Sequence, residues 1–206
     1  MPLDPYEPCP CGSGKKVKFC CQAIVPEMEQ VEKLQQSNQL QASLKKLDQL
    51  HEKYPDNLWV ATARATVLIG QNLPDQARQE LRPLLKENPD HPLGLVLYAT
   101  ATYYTDGFQK SRSAIYRSFQ KSVRAFPGMV GMLAQAVAAE LEYLGQYMAA
   151  RAHLTLAMKL VSDEIKREIF TRLHRFDTNQ GIAYPLRSVH HLAEIELEGE
   201  HAAEAA

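Results

Sequence analysis

Cysteine is missing from most of this chain. All four cysteines fall between residues 9 and 21, and residues 22–206 carry none. A disulfide framework spreads its cysteines over the parts it staples, so the pattern argues against one and for a reducing compartment. Long hydrophobic runs are also missing. The most apolar stretch, Leu93 to Tyr104, falls short of the ~18 residues a membrane helix needs, so no membrane insertion is expected. The opening MPLDPYEPCPCG has no basic segment leading into an apolar core, so no secretory signal is read and the expected compartment is the cytoplasm. Charge of one sign is scarce. A formal net charge of −1 does not suit coating nucleic acid, and any electrostatic role must come from a local patch. No GxxxxGK[ST] phosphate loop occurs, and the seven histidines show no Ser-His-Asp, Cys-His or metal-ligand spacing. No catalytic residue is assigned.

What is present is a composition of 45% hydrophobic and 23% charged residues, ordinary for a soluble globular protein. A length of 206 residues fits one domain plus a small appendage, or a short repeat array.

The cysteines lie in Cys9-Pro10-Cys11-Gly12-Ser13-Gly14-Lys15-Lys16-Val17-Lys18-Phe19-Cys20-Cys21. Two close pairs, one on each arm of a tight turn, can close a tetrahedron, the geometry zinc prefers. Gly12 and Gly14 allow the positive φ such a turn uses. Lys15, Lys16 and Lys18 offset the formal −2 charge of four thiolates on a dication and help keep the thiols deprotonated. Val17 and Phe19 can cover the site or dock it on a neighbour. Adjacent cysteines bridge only with strain, so paired disulfides are the weaker reading, and an iron–sulfur group or a redox switch stays open. Four thiolates leave no vacant position on zinc, so the expected ion is one structural Zn2+.

The segment from Pro8 to Gln22 resembles the SEC-C motif, the zinc-binding segment at the C-terminus of the SecA translocation ATPase. Ligand positions, glycines and lysines match. Val17 stands where an aromatic residue is frequent, and Cys21 where SecA often has His. The resemblance implies a non-catalytic, bacterial interaction module whose partners are a SecB-like chaperone or the ribosome. No motor accompanies it here.

Residues 27 to 175 read as helix with regular breaks. Tyr54-Pro55-Asp56-Asn57 recurs as Asn88-Pro89-Asp90-His91, 34 residues on, and Phe126-Pro127-Gly128 makes a third break. Small residues fall where paired helices touch: Ser43, Ala77, Ala150 and Ala157. Large positions are held by Leu47, Leu68, Leu81, Leu141 and Phe119. This period resembles the tetratricopeptide repeat, degenerate in that its characteristic Trp and Gly are absent. The expected fold is all-α: antiparallel helical hairpins in a right-handed superhelix with an N-terminal zinc knuckle. Helices are expected over 26–37, 39–53, 57–70, 73–87, 91–105, 110–125, 129–144, 146–161 and 163–174. The expected domains are a knuckle over 1–23, a repeat array over 24–176 and an irregular tail over 177–206. The tail's 182–192 stretch does not read as a repeat, and its acidic end has the composition of a disordered segment.

Two surfaces stand out. In such repeats the first helix of each pair lines a concave groove, which would display Trp59, Thr62, Thr66, Tyr103, Tyr104, Gln135, Glu142 and Tyr143. These suit a peptide, or the aromatics simply fill space between repeats. Lys110, Arg117, Lys121 and Arg124 fall within ~60° of one helical stripe, with Ile115, Phe119, Val123 and Phe126 opposite. No acidic residue interrupts the stretch from Gly107 to Ala139. The stripe is either a solvated face or a contact for an acidic protein or RNA backbone.

The expected function is a non-enzymatic protein-interaction adaptor or scaffold. Two rivals remain. One is an accessory or regulatory region of a larger enzyme. The other is an RNA- or ribosome-associated factor using Lys15, Lys16, Lys18 and the Lys110–Arg124 stripe.

Overall fold

Prolines and left-handed residues divide the chain into helical hairpins. The computed structural model describes residues 3–178. It contains α1 (Val25–Gln36), α2 (Leu40–Lys53), α3 (Leu58–Gly70), α4 (Pro74–Glu87), α5 (Pro92–Ser122), α6 (Pro127–Tyr143), α7 (Tyr147–Met158) and α8 (Asp163–Thr178). Pro26, Pro74, Pro92 and Pro127 sit in first turns, where the missing N–H costs nothing and φ is already set.

Each turn inside a hairpin carries one residue of positive φ: Asn38, Asn72 and Gly145, with Gly107 inside α5. The bonds beside three of them repeat. Gln39 N–H donates to Leu34 O, Leu73 N–H to Leu68 O, and Gln146 N–H to Leu141 O, at 2.8, 2.9 and 2.8 Å. These six-to-one bonds satisfy carbonyls that a helix end would otherwise orphan. The expected gap between 105 and 110 is narrower than the sequence implies. Only Gly107, at φ 74° and ψ 176°, departs from helix within α5. Its two arms, 92–106 and 108–122, form the third hairpin. Likewise α6 starts at Pro127, two residues before the expected 129.

The chain divides after Ala125 into two compact units. In the first, α1 packs on α2, α2 on α3, α3 on α4, and α5 on both α3 and α4. In the second, α7 packs on α6 and α8. The small positions Ser43, Ala77, Ala150 and Ala157 are fully buried, as are Leu47, Leu81 and Leu141. Arg64 of α3 spans neighbouring helices, donating to Asp48 of α2 at 2.8 Å and to Glu80 of α4. Among the described residues there is no strand, only an isolated antiparallel bridge between Pro8 and Lys16. No helix among them is long and apolar enough to cross a membrane. The tail's 182–192 stretch and acidic end lie outside the described residues.

Candidate metal centre

The cysteine segment folds as two short antiparallel arms. Val17 N–H donates to Glu7 O, Lys18 N–H to Pro5 O, and Cys9 N–H to Lys15 O at 2.8 Å. Gly12 and Gly14 take φ of 74° and 73° in the turn between the arms. A 3-10 turn, Val17–Phe19, then presents Cys20 and Cys21, and a second, Gln22–Ile24, runs directly into α1. Val17 is fully buried, whereas Phe19 is 70% exposed.

This folding gathers all four thiols. The Sγ atoms of Cys9, Cys11, Cys20 and Cys21 lie within 4.8 Å of one another. Cys11 and Cys20 are 3.4 Å apart, and Cys20 and Cys21 3.8 Å. All four are free thiols. A zinc tetrahedron with bonds of about 2.3 Å has edges near ~3.8 Å, so the cluster is the right size to hold a metal ion. Cys9, Cys11 and Cys21 are buried and Cys20 is exposed. Burial pushes the Cys9 and Cys21 thiols up. Burial acts the same way on Cys11, but hydrogen bonds from Ser13, Cys9 and Cys20 outweigh it and bring that thiol down to about 7.

The segment is not a free appendage on a linker. Cys9, Cys11 and Cys21 belong to one apolar cluster with Ile24, Met28, Val31, Leu47, Leu50, Val60 and Val67. Two side chains of the repeats grip it. Asn57 is the N-cap of α3: its Oδ1 accepts from Trp59 N–H and Val60 N–H, and its Nδ2 donates to Cys21 Sγ at 3.4 Å. The cap fixes which way the amide faces. His91 is the N-cap of α5. Its Nδ1 accepts from Gly94 N–H at 3.0 Å, which leaves the proton on Nε2 to donate to Cys11 O at 3.1 Å. Burial lowers the His91 pKa and favours the neutral ring this arrangement needs. Asn57 and His91 are 34 residues apart, at equivalent places in consecutive Pro-Asp-Asn and Pro-Asp-His turns.

Residues 34–99 match the tetratricopeptide repeat family model. The match runs from the end of α1 into the first arm of α5, the region whose turns grip the cysteine segment. No curated protein and no solved structure matches the chain. Stacked repeats of this kind present extended surfaces that serve protein–protein contact.

Gly12 lies under the His91 ring. A Cβ there would meet Nε2 at 2.5 Å and Cδ2 at 2.7 Å, on a backbone of φ +74°. Gly12→Ala should therefore destabilise the first unit by more than the about 1–2 kcal/mol of backbone strain, read as a lower denaturant midpoint. The same change at Gly14, with nothing within 4 Å, should carry only the backbone strain.

The other sequence-derived residues fare unevenly. Lys15 and Lys16 are exposed beside the cysteines, and Lys18 Nζ lies 3.9 Å above the Tyr6 ring and 4.6 Å above that of Phe19. Thr62 corrects the groove expectation: it is fully buried and its hydroxyl donates to Leu58 O of its own helix. Trp59 is half-buried against the cysteine-containing cluster. Tyr103 and Tyr104 stand 5.5 Å apart, with Tyr104 57% exposed. In the second unit Tyr143 is 90% exposed. Lys110, Arg117, Lys121 and Arg124 are all exposed. Arg117 and Lys121 pair with Asp90 at 3.3 and 3.1 Å, and Lys121 foremost, then Arg117, holds that carboxyl below its usual range.

Proposed function

We propose that the chain is a non-enzymatic protein-interaction scaffold whose N-terminal segment binds one structural Zn2+ through Cys9, Cys11, Cys20 and Cys21. The observation that carries this reading is four free Sγ atoms within 4.8 Å of one another, docked on helical repeats. Four thiolates complete zinc's coordination, so the ion supplies a cross-link and no chemistry. Asn57 shields one thiolate and His91 anchors the turn that carries another.

By its resemblance to the SEC-C motif, the knuckle is an interaction module of a bacterial cytoplasmic protein. It offers Lys15, Lys16 and Lys18 to a partner such as a SecB-like chaperone or the ribosome. Tyr103 and Tyr104 in the first unit and Tyr143 in the second offer aromatic contacts, a residue type enriched at interface centres.

Two variants separate recruitment from folding. Metal analysis should find one zinc per wild-type chain and none on the Cys20→Ser, Cys21→Ser protein. A Lys15→Glu, Lys16→Glu protein should keep its zinc but lose partners in pulldowns from lysate. A partner list identical to wild type would reduce the knuckle to a structural cap.

A further inference from the structure

Two clefts occupy equivalent places in consecutive repeats, and their chemistry is inverted. The first, of ≈ 740 Å³, lies between α2 and α4 with α3 as its floor. The second, of ≈ 450 Å³, lies between α4 and the second arm of α5, with the first arm as its floor. Every lining residue of the second except Lys86 stands 34 positions after a lining residue of the first. Asp48 becomes Arg82, Gln76 becomes Lys110, Glu80 becomes Ala114 and Pro83 becomes Arg117.

The first cleft is lined by Asp48, Asp56, Glu80 and Glu87, with Arg64 as its one full cation. Arg64 is already held by two of those carboxylates. The second is lined by Arg82, Lys86, Lys110 and Arg117 and by no carboxylate. Among the described residues Arg82, Lys86 and Lys110 have no acidic partner. Between these cations the lining is apolar, with Leu85 of α4 and Leu95 and Tyr98 of the floor.

From this pattern we propose that the second cleft docks an acidic segment of a partner protein in which glutamate or aspartate alternates with apolar side chains. The carboxylates meet the cationic rim and the apolar side chains cover the floor. The neighbouring cleft argues against a continuous polyanion such as RNA. Two of its carboxylates, Glu80 and Glu87, are carried by α4 itself, the wall the two clefts share. A strand laid over both clefts would meet repulsion that a short peptide avoids. The inference rests on the scaffold reading and names the chemistry of one of its partners.

Fluorescence anisotropy tests it, using the full chain and a labelled eight-residue peptide of alternating Glu and Leu. Arg82→Glu with Lys110→Glu should weaken binding at least tenfold, and Arg82→Gln with Lys110→Gln by less. The Gln/Leu version of the peptide should bind at least tenfold more weakly. Equal affinity for wild type and the Glu variant overturns the proposal, as does a uridine octanucleotide that displaces the peptide at equal concentration. A tenfold gain when Glu194, Glu196, Glu198 and Glu200 are all changed to Gln also overturns it, because the chain's own segment would then be the occupant. Failure of the peptide while pulldown partners persist sinks this inference and leaves the scaffold reading standing.

Discussion

Stripping the metal should lower the thermal midpoint of the first unit by about 10 °C or more and leave the second where it was. Structural zinc sites release about 10–16 kcal/mol on binding, comparable to the whole stability of a typical domain, about 5–15 kcal/mol. Part of that offsets the entropy of ordering the cysteine arms. The rest reaches the helices, because Cys9, Cys11 and Cys21 share a cluster with Met28, Val31, Leu47, Leu50 and Val60. For a unit of this size each kcal/mol is worth about 4 °C or somewhat less. Calorimetry with and without a strong chelator gives the midpoints, and hydrogen exchange gives the location. Faster exchange is expected at Cys9, Val17 and Ile24, whose amides are bonded within the segment, with none gained over α6 to α8. Re-added zinc should restore the pattern. Unchanged exchange at those three amides would show that the fold of the segment does not depend on the ion.

Asn57 should give a large effect for a polar residue outside the cysteines, and two substitutions should separate its roles. Asn57→Ala removes a helix cap, worth about 1 kcal/mol, and an N–H aimed at a sulfur that carries charge when metal is bound, worth about 1.5–3 kcal/mol. A loss of about 2–4 kcal/mol is expected in the loaded protein. Asn57→Asp keeps the oxygen that accepts from Trp59 and Val60 but replaces the N–H with a carboxylate facing Cys21. The metal-free protein should be within about 0.5 kcal/mol of wild type, while metal affinity falls about 10–100-fold. Competition against a chromophoric chelator measures the second quantity and chemical denaturation the first. An Asp variant that holds metal as tightly as wild type would mean the amide contributes only the cap.

The hairpins were legible because their stops are local. Proline in first turns and small residues at Ser43 and Ala77 act within a helix or between adjacent ones, so spacing alone finds them. The cysteine cluster was legible for the same reason: its members are close in sequence. Its seat was not. Asn57 and His91 read only as members of two proline breaks, and nothing near them announces a contact with residues 21 and 11. The repeated Pro-Asp-Asn and Pro-Asp-His turns carried the signal, since they mark the same place in two repeats. Thr62 was misplaced because a threonine that bonds its own helix backbone looks, in sequence, like one that faces solvent. The basic stripe was found by arithmetic on one helix, which cannot see that Arg82 and Lys86 join it from α4.

The paired grip of Asn57 and His91 also bears on how the first unit deforms. Stacked repeats take their curvature and twist from a small rotation at each joint between neighbours. Asn57 belongs to the second hairpin and His91 to the third, and both hold one body that four thiolates can lock around an ion. A joint bolted on both sides keeps its angle. With an ion bound, this joint should be the stiffest of the first unit, a coil soldered in a spring, and releasing the ion should restore its compliance.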